Sequence, residues 1–241
     1  MNQLLVALDV DTAGDARRLA DLLRGAVGGF KIGSRLFTSV GPSLVDELVS
    51  RGDRVFLDLK FHDIPSTVAG AVAAATRLGA WMINVHAAGG SAMMRAARAA
   101  ADEEAARLSR AAPLVIAVTI LTSMDRRTLT EIGLTDGIAD QVGRLAALAS
   151  AAGLDGVVAS PQEIGSIRRR CGNAFTIVTP GIRGGASTVE NAPTGRDDQS
   201  RTLTAAEALT AGASYIIVGR PIIAAVDPRA AADRLAEECR V

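Results

Sequence analysis

Short apolar runs alternate with amphipathic, Ala- and Leu-rich stretches from one end of the chain to the other. The runs at Leu4–Leu8, Gly28–Ile32, Arg54–Leu59, Trp81–Val85, Leu114–Thr119, Gly156–Val158, Phe175–Val178 and Tyr215–Val218 are mostly continuous rather than strictly alternating. Continuous runs suit strands covered on both faces, as in a parallel sheet wrapped by helices. Between them the spacing predicts helices over Asp15–Arg24, Pro42–Ser50, Ser66–Leu78, Ala92–Ser109, Ile138–Ala151, Pro161–Arg170, Ala205–Ala211 and Pro228–Glu238. Pro65, Pro161 and Pro228 stand near helix starts, where a missing N–H costs little.

Eight strand–helix units in 241 residues predict an α/β fold, a single-domain (β/α)8 TIM barrel over 1–241, with a doubly wound open sheet as the competitor. No linker or low-complexity segment divides the chain. Its one long irregular stretch is Pro180–Arg201, rich in Gly, Ser, Thr, Asn and Asp, and a loop of that length inside a compact domain is usually functional, often a lid.

Composition narrows the partners. Lys plus Arg and Asp plus Glu number 26 each, so no global field draws in nucleic acid or an anionic membrane. Any phosphate-bearing ligand must then be held by a local site. No apolar stretch approaches the roughly 20 residues that span a bilayer, and the opening Leu4–Leu8 run is too short for a signal peptide. Cys171 and Cys239 are isolated, which suits reduced thiols in a cytoplasmic protein.

Barrels of this kind carry their sites at the C-terminal ends of the strands. There the first strand delivers Asp9, the second Lys31, and the third Asp58 and Lys60 with Asp63 just beyond. The fourth brings Asn84 and His86, the fifth leads into Thr122 and Ser123, the seventh to Arg183, and the eighth to Gly219 and Arg220. Side chains alternate along a strand, so Asp58 and Lys60 point the same way, into the barrel mouth. A lysine flanked by carboxylates stays protonated in a partly buried site, which makes a placed ammonium proton available. One such pair would read as a salt-bridged strand end; four charges on two adjacent strands read as chemistry.

The eighth strand's Val218-Gly219-Arg220-Pro221 fits a phosphate site, with a close backbone approach at Gly219 and a planar fork on Arg220. Taken alone, the same residues serve equally well as a helix-start turn with a solvated arginine. The long loop, with Gln199 alongside, favours phosphate. His62 and His86 are the only histidines and lack ligand spacing, so they read as structural. Arg168-Arg169-Arg170 reads as a solvated helix end. No metal or organic cofactor is expected.

The segment DLKFHDIPSTV, Asp58–Val68, strongly resembles the D-x-K-x-x-D-I-P signature of the orotidine 5'-monophosphate decarboxylase family in its short bacterial form. The resemblance continues through VALDV, FKIG at Phe30–Gly33, NVHAAGG at Asn84–Gly90, LTSM at Leu121–Met124, TPGIR at Thr179–Arg183, DQSR at Asp198–Arg201 and VGRPI at Val218–Ile222. It implies a cofactor-free conversion of orotidine 5'-monophosphate (OMP) to UMP, with Lys60 as proton donor to C6 and Asp58, Asp63 and Lys31 completing a charge network. It further implies ribose contacts from Asp9 and Thr67, pyrimidine contacts from Thr122 and Ser123, and phosphate contacts from Gln199, Gly219 and Arg220. Arg183 would sit at the base of a mobile loop of about 20 residues, 181–201, that closes over the phosphate. Gly184–Asp197 is long for the family's shortest bacterial members, which weakens the Gln199 assignment. The resemblance also implies a homodimer in which Asp63 and Thr67 serve the partner's site. Two alternatives remain open: a metal-dependent sugar-phosphate decarboxylase or aldolase on the same barrel, which would carry an acidic ligand where this chain has Lys31, and a non-catalytic nucleotide-binding barrel.

Overall fold

In a computed structural model, which describes residues 3–182 and 203–239, eight parallel strands close on themselves in chain order. They are β1 (Leu4–Ala7), β2 (Gly29–Gly33), β3 (Val55–Phe61), β4 (Met82–His86), β5 (Leu114–Val118), β6 (Gly156–Val158), β7 (Thr176–Thr179) and β8 (Tyr215–Val218). Helix α1 (Ala13–Leu23) follows β1; α2 (Ser34–Val40) and α3 (Ser43–Ser50) follow β2; α4 (Pro65–Arg77) and α5 (Gly90–Arg107) follow β3 and β4. Then α6 (Arg126–Glu131) and α7 (Ile138–Ala151) follow β5, and α8 (Ile164–Cys171) follows β6. Last come α9 (Ala205–Thr210) before β8, then α10 (Arg220–Ile223) and α11 (Pro228–Glu238) after it. The open-sheet alternative is excluded, because β1 pairs with β8 as well as with β2.

Alternation along each strand divides the apolar residues between two cores. Leu5, Ala7, Phe56, Met82, Ile116, Val178 and Ile217 fill the barrel interior, while Leu4, Val6, Phe30, Ile32, Leu57 and Ile83 pack outward against the helices. Trp81 and Tyr215 meet edge-on at 5.1 Å at the N-terminal end of the interior, with the Arg54 guanidinium 5.3 Å from the Trp81 ring. A filled interior leaves the C-terminal mouth as the open end. Truncating the buried Phe56 to Ala should cost about 3–5 kcal/mol, the range for a large aromatic in a packed core. At Gly156 a Cβ would lie 2.0 Å from the Thr176 carbonyl oxygen, so only glycine allows β6 and β7 this register.

Helix ends follow the residues that cap them. The Thr12 hydroxyl accepts from the Asp15 N–H at the start of α1, and Asp227 does the same for Ala230 at the start of α11. The predicted helix at Pro161–Arg170 begins instead as a 3-10 turn, Pro161–Glu163, before α8. Arg168 departs from the solvated-end reading. Its Nε donates to the Gly212 carbonyl at 2.8 Å and its Nη2 to Ser214 Oγ at 3.0 Å, so it ties the end of α8 to the approach of β8. No helix among the described residues is long and apolar enough to cross a membrane.

Candidate active site

The strand ends converge on one chain of alternating charges. Asp9, just past β1, accepts from Lys31 Nζ on β2 at 3.0 Å. Lys31 Nζ lies 3.5 Å from Asp58 Oδ2, and Lys60 Nζ donates to Asp58 Oδ1 at 2.7 Å. The Lys31 and Asp58 side chains are only 10% and 11% exposed, whereas Asp9 and Lys60 open to solvent at 51% and 38%. The two inner charges are therefore held by each other and by an outer charge on each side, which offsets their desolvation. Gly33 makes room for this: a Cβ there would lie 3.0 Å from Lys31 Nζ.

Lys60 sits on an irregularity of β3. Phe56 and Leu57 pair with Met82 and Ile83 of β4, but the next pair is Phe61 with Val85. Between those pairs β3 carries three residues, Asp58, Leu59 and Lys60, against the single Asn84 of β4. The excess is absorbed by a left-handed backbone at Lys60, φ 53°. Such a conformation costs a lysine on the order of 1 kcal/mol or more and persists only where the surroundings enforce it. The sequence reading placed Asp58 and Lys60 on one side, and the ion pair agrees with that; the bulge was not foreseen.

The remaining expected residues divide by position. Asp63 and Thr67 lie in an exposed segment, 62–67, and Asp63 Oδ1 accepts from the N–H of Ile64 at 2.6 Å. Asp63 belongs to a bend just past β3 and makes no hydrogen bond or ion pair with the Asp9–Lys60 chain among the described residues. Thr122 and Ser123 lie on the connection from β5 to α6. Gly219 follows β8 beside β1, where its Cβ would meet Ala7 Cβ at 3.5 Å and Asp9 Oδ2 at 3.6 Å. Arg220 opens α10, exposed on the same rim. Arg183 and Gln199, and with them most of the expected closing loop, lie outside the described residues.

His62 and His86 pair more closely with the site than their spacing suggested. Their rings lie 5.3 Å apart at 32°. Burial holds the His86 imidazole below its usual value; His62 and Lys60 push the same way and Asp58 opposes them. Asn84 was legible as a strand-end residue but carried no role. It is fully buried and bonded to both Asp58 and Lys60. A polar residue between apolar neighbours, two positions beyond Met82 on the same inward face, was the available signal.

Alternating carboxylates and ammonium groups at the C-terminal rim of a closed parallel barrel stand where enzymes of this architecture carry their sites. The chain belongs to the Orotidine 5'-phosphate decarboxylase / HUMPS family, whose model matches residues 2–235. It is 54% identical over 238 residues to the orotidine 5'-phosphate decarboxylase of Moorella thermoacetica, covering 98% of this chain and 92% of that one. To the enzyme of the same name from Syntrophotalea carbinolica it is 50% identical over 236 residues, covering 98% and 94%. Among solved structures, orotidine 5'-phosphate decarboxylase from Lactobacillus acidophilus superposes with a TM-score of 0.86 at 34% identity, covering all of both chains.

Proposed function

We propose that this chain decarboxylates OMP to UMP, with the Asp9–Lys31–Asp58–Lys60 chain as its catalytic apparatus. The observation that carries the reading is the Lys60 ammonium held 2.7 Å from Asp58 at the open end of the barrel, in a chain of this family. Loss of CO2 from C6 breaks the C6–carboxylate bond and leaves its electron pair on C6. No neighbouring group in the pyrimidine accepts that pair by simple resonance, so the protein must stabilise it electrostatically. Lys60 faces the developing charge and transfers its proton to C6, giving UMP and CO2; water then restores the ammonium. Asp58 orients Lys60 and lies beside the substrate carboxylate, a like-charge contact relieved as neutral CO2 departs. Lys31 holds Asp58 and Asp9 in place, and Asp9 bonds a ribose hydroxyl.

Thr122 and Ser123 face the pyrimidine in this reading, and Gly219 and Arg220 take the phosphate together with Gln199. Arg183 stands at the base of the closing loop. Phosphate binding, remote from C6, then drives closure and water exclusion. The functional unit is a homodimer, in which Asp63 and Thr67 reach the partner's site. Supporting this, the 62–67 segment is exposed throughout, and Ile64 at its centre leaves 64% of its surface open. A buried interface would cover an apolar side chain of that kind.

The sugar-phosphate alternative has less behind it. Asp9 Oδ1 and both Asp58 oxygens, which a cation would need, are engaged by Lys31 and Lys60. The test is direct: incubate the protein with OMP in EDTA and follow the loss of ultraviolet absorbance. Decarboxylation should run at an undiminished rate. Inhibition by EDTA that magnesium reverses moves the assignment to the alternative, and no reaction under either condition defeats the decarboxylase reading.

A further inference from the structure

We infer that Asn84 is a positioning residue, a two-ended clamp that fixes both the backbone of Lys60 and the carboxylate of Asp58. Between the last regular pair of β3 and β4 and the next, Asn84 is the only β4 residue facing three of β3. Its Oδ1 accepts the Lys60 backbone N–H at 2.8 Å, and its Nδ2 donates to Asp58 Oδ1 at 2.6 Å. It is completely buried. One amide thus holds the two ends of the bulge together.

Each half of the clamp has its own consequence. A two-residue excess in β3 breaks the ladder hydrogen bonding, leaving the Lys60 N–H to find another acceptor. Asn84 Oδ1 is that acceptor, and it holds Lys60 at φ 53°, a conformation that L side chains rarely adopt. The left-handed backbone decides where the Lys60 side chain leaves the strand, and so where Nζ stands over the barrel mouth. At the other end, Nδ2 shares Asp58 Oδ1 with Lys60 Nζ, while Oδ2 turns to Lys31. The carboxylate is thereby held at both oxygens and cannot rotate away from either lysine. An amide suits this place because it presents one donor and one acceptor without adding a charge. Aspartate would keep the acceptor but press a second carboxylate on Asp58; leucine would fill the volume and keep neither bond.

The inference rests on the decarboxylase reading for its kinetic consequence and on the backbone geometry alone for its structural one. Asn84→Leu should lower kcat by about 100-fold, the scale for displacing a reacting group by about an ångström. KM for OMP should stay within about threefold, since Asn84 does not reach the substrate. In a crystal structure of the variant, Lys60 should leave the left-handed region. Asn84→Asp should keep the left-handed Lys60 and still lose kcat, separating the two halves of the clamp. A kcat for either variant within about threefold of the unmodified protein overturns the inference, as does an unchanged Lys60 backbone in Asn84→Leu. Should the leucine variant not fold, the aspartate variant decides by its kcat. Failure of the unmodified protein to decarboxylate OMP sinks the functional reading instead, and leaves the backbone comparison to judge the clamp.

Discussion

Asp58→Asn keeps the shape of the side chain but removes one negative charge and one acceptor oxygen. Asp58 is the hub of the site: Lys60 and Asn84 donate to Oδ1, and Lys31 faces Oδ2 at 3.5 Å. With all three partners donors, either orientation of the new amide turns an NH2 toward at least one of them. Breaking a buried ion pair from one side typically costs 3–5 kcal/mol, but here Lys31 keeps Asp9 and Lys60 is 38% exposed to water. The stability loss should therefore be nearer 2–3 kcal/mol, a fall in Tm of roughly 5–10 °C at this chain length. The kinetic effect should be larger. Two unit charges at about 4 Å repel by about 4 kcal/mol at an effective dielectric constant near 20. In the proposed mechanism that repulsion acts between Asp58 and the substrate carboxylate in the ground state and is gone once CO2 has formed. Losing it should lower kcat by about 100- to 1,000-fold while KM stays level or falls. Steady-state decarboxylation with OMP varied through saturation, alongside a thermal melt, measures both. A tenfold rise in KM with kcat preserved would show that Asp58 serves binding, and would refute the charge-relief account.

Other changes separate the remaining roles. Arg220→Ala should cost roughly 1.5–3 kcal/mol in kcat/KM for the nucleotide and almost nothing for the nucleoside orotidine; equal losses on both would make Arg220 structural. Mixing inactive Lys60→Ala and Asp63→Ala homodimers, with subunit exchange verified by mass spectrometry, should restore about a quarter of full activity, because about half the dimers are mixed and each has one intact site. No recovery would place both residues in one chain's site. His86 has a depressed folded value, so below its ordinary 6.5 the unfolded chain binds the extra proton first and stability should fall as pH drops from there through the folded value. His86→Gln should flatten that slope in urea titrations, and an unchanged slope would assign the acid sensitivity elsewhere.

The eight strands were legible because burial on both faces leaves long apolar runs, and each observed strand starts and ends within two residues of its expected bounds. Helices α2, α6 and α10 were not. Ser34–Val40 is rich in Ser, Thr, Val and Phe; α6 is as short as α9 but carries two threonines where α9 has three alanines, and α10 is a single turn. In the site, alternation predicts Asp58 and Lys60 on one side, and they do meet, but across a left-handed bulge rather than along a regular strand. The bulge was not legible, because a register slip belongs to the pairing of β3 with β4 and not to either segment. Leu59 reads locally as an ordinary strand residue. For the same reason Asn84 was visible at a strand end without a role: its two partners lie 24 and 26 positions away in sequence.

The alternation of charge along Asp9, Lys31, Asp58 and Lys60 has a consequence at long range. Two cations and two anions in one row sum to zero, and the potential of such a row decays with distance much faster than that of a single charge. A doubly charged phosphate diffusing toward the barrel therefore meets no attraction from the groups that will act on it. In the proposed assignment capture falls to the rim, where the Arg220 side chain is exposed. Ionic strength should then tune kcat/KM through encounter, by a modest factor that shrinks in Arg220→Ala, and leave kcat unmoved. The catalytic charges are strong at a few ångströms and nearly silent at ten.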